Sequence, residues 1–207
     1  MRYAIPDLAS GEHRYHEIEI EKSRFITWTA FIPDIASFDT LLAQARAAHP
    51  NASHHCTAYI AGAPGEQNAI GFSDDGEPGG TAGRPMYQAL EGSGLGQVGC
   101  VVIRYFGGTK LGTGGLVRAY TQAVIQALED LPRRPFIERR TLRIRIDFAG
   151  EAIAREWLAT QDAIIENADY EADGVTLDIA WPRERASDLS ELTSRLKGRL
   201  TQLDVSL

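Results

Sequence analysis

The sequence predicts an α+β protein built from two domains, and three observations carry that prediction. Residues 100–131 read as a buried strand, a glycine-rich loop and a one-sided helix. Glycine is dense before a proline-flanked break at Pro132 and Pro135 and sparse after it. Beyond the break the elements run strand, helix, strand, strand, helix, strand. The expected domains are 1–132 and 136–207.

Taken in order, 15–20 and part of 25–31 alternate between apolar and polar residues, which predicts a hairpin of two strands with Glu21-Lys22-Ser23-Arg24 between them. Asp34 is placed to cap a helix whose apolar face is Ile35, Phe38, Leu41, Leu42, Ala45 and Ala48, ending before Pro50. A third strand follows over 56–61. Sixteen of the 20 glycines then fall between Gly62 and Gly115, and a long glycine-rich segment over 71–83 is of the kind that is functional or mobile. Pro85 opens a short helix over 86–90. Cys100 to Phe106 is short, apolar and β-branched, as a buried strand is. After the glycines at 107, 108, 112, 114 and 115, the residues Leu116, Tyr120, Ala123, Val124, Ala127 and Leu131 recur at helical spacing.

The segment 132–135 reads as a linker. The second half predicts strands over 141–148, 163–170, 175–181 and 200–205, with helices over 152–160 and 187–196. That order is the ferredoxin-like βαββαβ plan. Leu142, Ile144 and Ile146 alternate with Arg143, Arg145 and Asp147, so one face of its sheet is expected to be wet.

With 207 residues, 43% hydrophobic and 24% charged, the chain has the composition of an ordinary globular protein. Its apolar runs are too short to span a bilayer as a helix, and its start lacks the apolar stretch of a signal peptide. Two cysteines build no disulfide framework, so a reducing cytoplasm is the expected home. The net charge of −7 argues against a protein that coats nucleic acid by bulk attraction. Locally the balance reverses. Between Pro78 and Leu128 the cations are Arg84, Arg104, Lys110 and Arg118, against the single acid Glu91.

A strand, a glycine-rich loop and a helix place backbone N–H groups and a positive helix end at one open corner, where an anion can sit. The candidate phosphate- or nucleic-acid-binding residues are therefore Arg84, Arg104, Gly107, Gly108, Lys110, Gly112, Gly114, Gly115 and Arg118. Neither nucleotide motif fits. The P-loop pattern fails because Thr113 stands where its lysine belongs, and the GxGxxG run at 94–99 precedes a strand. The alternative is that the glycines are a tight connection and nothing more.

Other chemistry is weaker. His54, His55 and Cys56 lie next to one another on a strand, so only His54 and Cys56 share a face, too few ligands for zinc. Asp74, Asp75 and Glu77 could hold magnesium together with substrate oxygens, or could belong to a solvated turn that caps the next segment or pairs with Arg84. His54, His55, Asp74 and Asp75 are the candidate catalytic groups if the protein is an enzyme. Tyr105 or Phe106 could stack on a base, although one of the two must point into the core. Tyr87 and Tyr120 have core-like spacing.

These residues carry a family resemblance. Lys22-Ser23-Arg24-Phe25, His54-His55-Cys56, the run 71–83, Arg104-Tyr105-Phe106-Gly107-Gly108 and the run 111–120 together resemble the signature of the IMPACT family, in its bacterial YigZ-like branch. The likeness covers the whole chain and is specific in the first domain. It implies a first domain similar to domain IV of elongation factor G and a second similar to domain V of that factor. Eukaryotic relatives regulate translation through an additional domain with no counterpart in these residues, so their protein partner is not carried over. The leading expectation is a cytoplasmic, non-enzymatic protein that acts on translation by binding RNA or the ribosome, with no cofactor. The alternatives are a magnesium-dependent enzyme acting on a phosphorylated small molecule, and a scaffold that binds only protein.

Overall fold

The computed structural model describes residues 1–204, which form two compact units: 3–136, and 137–204 together with the first two residues. The described residues contain five α-helices, two single-turn 3₁₀ helices and eleven strands.

The larger unit is built on a five-stranded antiparallel sheet. Strands β2 (His13–Ile20) and β3 (Ser23–Phe31) form the expected hairpin. The sheet continues through β6 (Val98–Tyr105) and β4 (His54–Ile60) to the short edge strand β5 (Ile70–Ser73), in the order β2-β3-β6-β4-β5. The unbroken apolar run of β6 has a direct cause: helices cover both of its faces. On one side α1 (Ile35–Ala48) packs Phe38, Leu41 and Ala45 against Ile26, Val101 and Ile103. On the other, α2 (Gly83–Gly92) and α3 (Gly112–Glu129) pack Met86, Leu90, Leu116, Tyr120 and Val124 against Phe25, Cys56, Cys100 and Val102. Asp34 caps α1 as its position suggested, accepting from the Ser37 N–H at 2.8 Å.

Two expectations fail here. The stretch after α3 is not a linker, because Arg133–Ile137 is strand β7, paired with β1 (Arg2–Pro6) in a two-stranded ribbon. A ribbon of two strands is all edge, and an edge strand tolerates Pro135, which has no N–H to donate. Helix α3 also starts at Gly112 rather than near Gly115 or Leu116, so its first turn is made of the glycine loop itself.

The smaller unit follows β8 (Arg139–Ile146), α4 (Glu151–Thr160), β9 (Ile164–Tyr170), β10 (Val175–Pro182), α5 (Ser190–Arg195) and β11 (Leu200–Leu203). The strands pair antiparallel in the order β11-β8-β10-β9, which is a split βαβ arrangement. Leu142, Ile144, Leu177, Ile179 and Trp181 face Trp157, Leu158, Leu192 and Leu196. The opposite face carries an Arg143–Asp178 pair at 2.5 Å, in line with the alternation of β8. Val205, the expected end of the last strand, lies outside the described residues.

Candidate functional site

The layer between the sheet and α3 is apolar until it reaches the end nearest the glycine loop. Strand alternation puts Ser23, Phe25, His54, Cys56, Val102 and Arg104 on this one face, and Phe25, His54 and Arg104 lie side by side across three strands. Into their polar end come Tyr120 from α3 and Glu77 from the loop after β5.

These side chains form one buried network. Arg104 donates from Nη1 to Glu77 Oε1 at 2.6 Å, with both side chains more than nine-tenths buried. The Tyr120 hydroxyl donates to the same oxygen at 2.8 Å. The Cys56 thiol lies 3.3 Å from that hydroxyl and 3.0 Å from the Asp74 carbonyl. His54 Nδ1 sits 2.8 Å from the Asp75 carbonyl. A carbonyl only accepts, so the proton is on Nδ1, and Nε2 faces Glu77 Oε2 at 3.8 Å. Burial pushes the Cys56 thiol up to about 12 and raises the Tyr120 phenol as well. Neither is an ionised nucleophile near neutrality.

The network underlies a cleft of ≈ 350 Å³ walled by Pro78, Phe106, Leu111 and Leu116, with Lys110, Gly112 and Thr113 at its rim and Glu77 and Arg104 also lining it. The backbone at its mouth is tied down by two serines. Phe106 N–H donates to Ser53 Oγ at 3.2 Å, and Gly107 N–H donates to Ser23 Oγ at 3.1 Å. Gly107 touches the β2–β3 turn so closely that a Cβ there would sit 2.0 Å from the Lys22 carbonyl carbon. No side chain caps the start of α3, whose first N–H groups have no partner in the preceding turn.

The candidate residues divide under this geometry. Lys110 and Arg118 are exposed and make no ion pair among the described residues, and a Cβ on Gly114 would lie 3.8 Å from Arg118 Nη1. Arg84 is exposed on the first turn of α2 and is not among the cleft's lining residues. Arg104 is not a free cation, because Glu77 neutralises it. The two are 27 positions apart, and nothing in their spacing announces the pair. Gly108, at φ +89°, and Gly112, at φ +70°, serve the backbone conformation, while Gly107 and Gly115 meet neighbouring atoms. Gly114 has neither reason: it is exposed, and a side chain there would meet only the end of Arg118.

The three acids of the loop after β5 bond to different partners. Asp74 accepts the backbone N–H groups of Gly80, Ala82 and Gly83 at 2.7, 2.9 and 2.8 Å. Burial disfavours its ionised form, but these three bonds outweigh that and hold its carboxyl below the usual range. Asp75 accepts from the His55 backbone N–H at 2.6 Å and pairs with Arg46 at 3.3 Å, while Glu77 is committed to Arg104 and Tyr120. No cluster of three or more His, Cys, Asp or Glu able to hold a metal occurs among the described residues. His55 lies on the opposite face from His54, with Nε2 3.1 Å from the His49 carbonyl, and burial lowers its pKa.

Sequence reading passed over Lys22 and the two serines as site residues. Glu21 and Lys22 form the two-residue hairpin turn, both at positive φ (47° and 65°), where asparagine and glycine are the usual occupants. A charged pair in that position is the signal that was available.

Among the described residues, no helix is long and apolar enough to cross a membrane. The Impact N-terminal domain matches residues 21–128. An Escherichia coli protein named IMPACT family member YigZ is 41% identical over 188 residues, covering 90% of this chain and 92% of its own. A Thermus thermophilus IMPACT family member is 35% identical over 183 residues, covering 87% and 97%. A crystal structure of a protein described as hypothetical shares 38% identity at a TM-score of 0.69, covering 99% and 98% of the two chains. On the domain match and these near-full-length relatives, the chain belongs to the IMPACT family.

Proposed function

We propose that this protein acts on translation in the cytoplasm by binding RNA or the ribosome through the glycine-rich corner, with the two units playing parts like those of domains IV and V of elongation factor G. The observation that carries this reading is the set of unspent charges around an uncapped helix start. Lys22, Lys110 and Arg118 are exposed without ion-pair partners among the described residues, in a chain whose other cations are mostly paired with acids. The N–H groups at the start of α3 lie between Lys110 and Arg118 along the chain, and Gly114 keeps side chains away from those donors. The RNA reading is favoured over the magnesium-dependent alternative by the internal bonds that Asp74, Asp75 and Glu77 already make.

The test is co-sedimentation with ribosomes and binding to unrelated RNA strands across a salt series. Wild-type protein is expected to bind, and each phosphate contact adds about one unit to the salt slope. The Lys110→Ala, Arg118→Ala double variant is expected to weaken binding to all sequences alike and to flatten the slope, with thermal stability unchanged. Equal binding by the double variant at low salt reduces the corner to architecture and removes the reading.

A further inference from the structure

The phosphate reading leaves the cleft itself unexplained. Its walls are apolar, which a sugar–phosphate chain does not need. Phe106 is 51% exposed on its rim, held there by backbone bonds to Ser53 and Ser23 on either side of it. At the other extreme Arg104 lines the cleft while 5% exposed, and its Nε–H is buried with no acceptor among the described residues. A buried donor without a partner is costly and uncommon in a native structure. The guanidinium carbon lies 5.7 Å from the centroid of the Phe106 ring and 5.4 Å from that of Phe25. Beside it, Glu77 Oε2 takes part in no hydrogen bond among the described residues and faces His54 Nε2 at 3.8 Å. The cleft thus combines an exposed aromatic ring, apolar walls, one unsatisfied donor and one open carboxylate oxygen. Gly112 and Thr113, at the start of α3, stand on its rim with Lys110.

We infer that the cleft receives a single nucleotide: the base enters against Phe106 over the Arg104–Glu77 pair, and its phosphate rests on Lys110 and the N–H groups opening α3. A planar heterocycle fits each feature. Its π-face stacks on the exposed Phe106 ring. Its edge offers a carbonyl or ring nitrogen to the Arg104 Nε–H and an N–H to Glu77 Oε2. A volume of ≈ 350 Å³ has room for a base and its sugar. The inference rests on the nucleic-acid reading above for its phosphate half, and its source is either an unstacked residue of an RNA strand or a free nucleotide.

The experiment compares a fluorescent single-stranded RNA with the same strand made wholly abasic, which keeps the phosphates and loses the bases. Adenosine and guanosine monophosphates are titrated in parallel, and wild type is run beside Phe106→Ala and Phe106→Trp. Loss of stacking lowers affinity by about five- to a hundredfold per base, so the intact strand is expected to bind tighter by that factor. Phe106→Ala should erase the difference and Phe106→Trp should keep it, with Phe106→Ala lowering the melting temperature only slightly because half of the ring is exposed. Saturable mononucleotide binding that Phe106→Ala abolishes, with no strand bound, supports the cleft with a free nucleotide as source and overturns the RNA reading. Equal binding of intact and abasic strands, both lost in Lys110→Ala, overturns the base-binding inference and leaves the phosphate reading standing. Binding of neither strand nor mononucleotide overturns both.

Discussion

Arg104 Nη1 and Glu77 Oε1 meet at 2.6 Å, with both side chains almost wholly buried beneath the cleft. Taking two such charges out of water costs several kcal/mol per ion before their attraction offsets it. Removing one partner leaves the other charge buried and alone. Glu77→Ala is therefore expected to destabilise the protein by about 3–5 kcal/mol. The double replacement Arg104→Met, Glu77→Leu should recover most of that loss, because it removes both charges. Urea denaturation of the two variants checks the order, and a double variant as unstable as the single one would contradict it.

Asp74 caps α2 from outside the helix, since its Oδ1 accepts from both Ala82 and Gly83 while Ala82 has no side chain able to do so. Asp74→Ala is expected to cost about 2 kcal/mol, within the range for helix caps and for hydrogen bonds to a charged group. The carboxyl titrates below its unfolded value of about 3.9, so its contribution is complete above that pH and is lost as pH falls through the lower, folded value. Melting temperature measured from pH 6 down to pH 2 should fall more steeply in wild type than in Asp74→Ala. Parallel curves would show that the cap contributes nothing to acid sensitivity.

That carboxylate shows what the sequence can and cannot reveal. Three acids in four residues suggest a metal, and only the fold reveals that each is spent on a different partner. The same holds for Arg104, which looks like a free cation until Glu77 folds over it. Elements with a strong period were legible: the hairpin, α1 with its Asp34 cap, β6 and the βαββαβ order of the second half all stand near their expected places. Where local propensity opposed the tertiary structure, the reading slipped. Glycine disfavours helix, so the first turn of α3 read as loop. Proline disfavours strand, so β7 read as linker. The cleft was legible only as its rim, because its lining joins residues from β6, the glycine loop, α3 and the loop after β5.

Both cysteines are expected to be silent in the native state. Burial pushes Cys56 and Cys100 up to about 12, so at pH 8 almost none of either is thiolate. An aromatic disulfide reagent should label neither thiol in the folded protein and both in denaturant. Rapid native labelling of Cys56 would show that the network around Tyr120 opens readily.

Gly107 and Gly114 should respond to alanine in opposite directions. At Gly107 the new Cβ would lie 2.0 Å from the Lys22 carbonyl carbon and 2.4 Å from the Ser23 nitrogen, both backbone atoms of the tight hairpin turn. Neither can move like a flexible side chain, so the turn must shift, and overpacking of this kind costs about 1–3 kcal/mol. At Gly114 the Cβ would meet nothing nearer than Arg118 Nη1 at 3.8 Å, and the residue lies in the first turn of α3. Alanine there removes the entropic penalty of glycine and should stabilise the helix by up to about 1 kcal/mol. The native sequence forgoes that gain. If Gly114 is kept so that a phosphate can approach the backbone, Gly114→Ala will melt higher than wild type and bind RNA more weakly. Thermal melts and salt-series titrations on the same preparations check both halves. A variant that is more stable and binds as well as wild type would show that Gly114 has no part in the site.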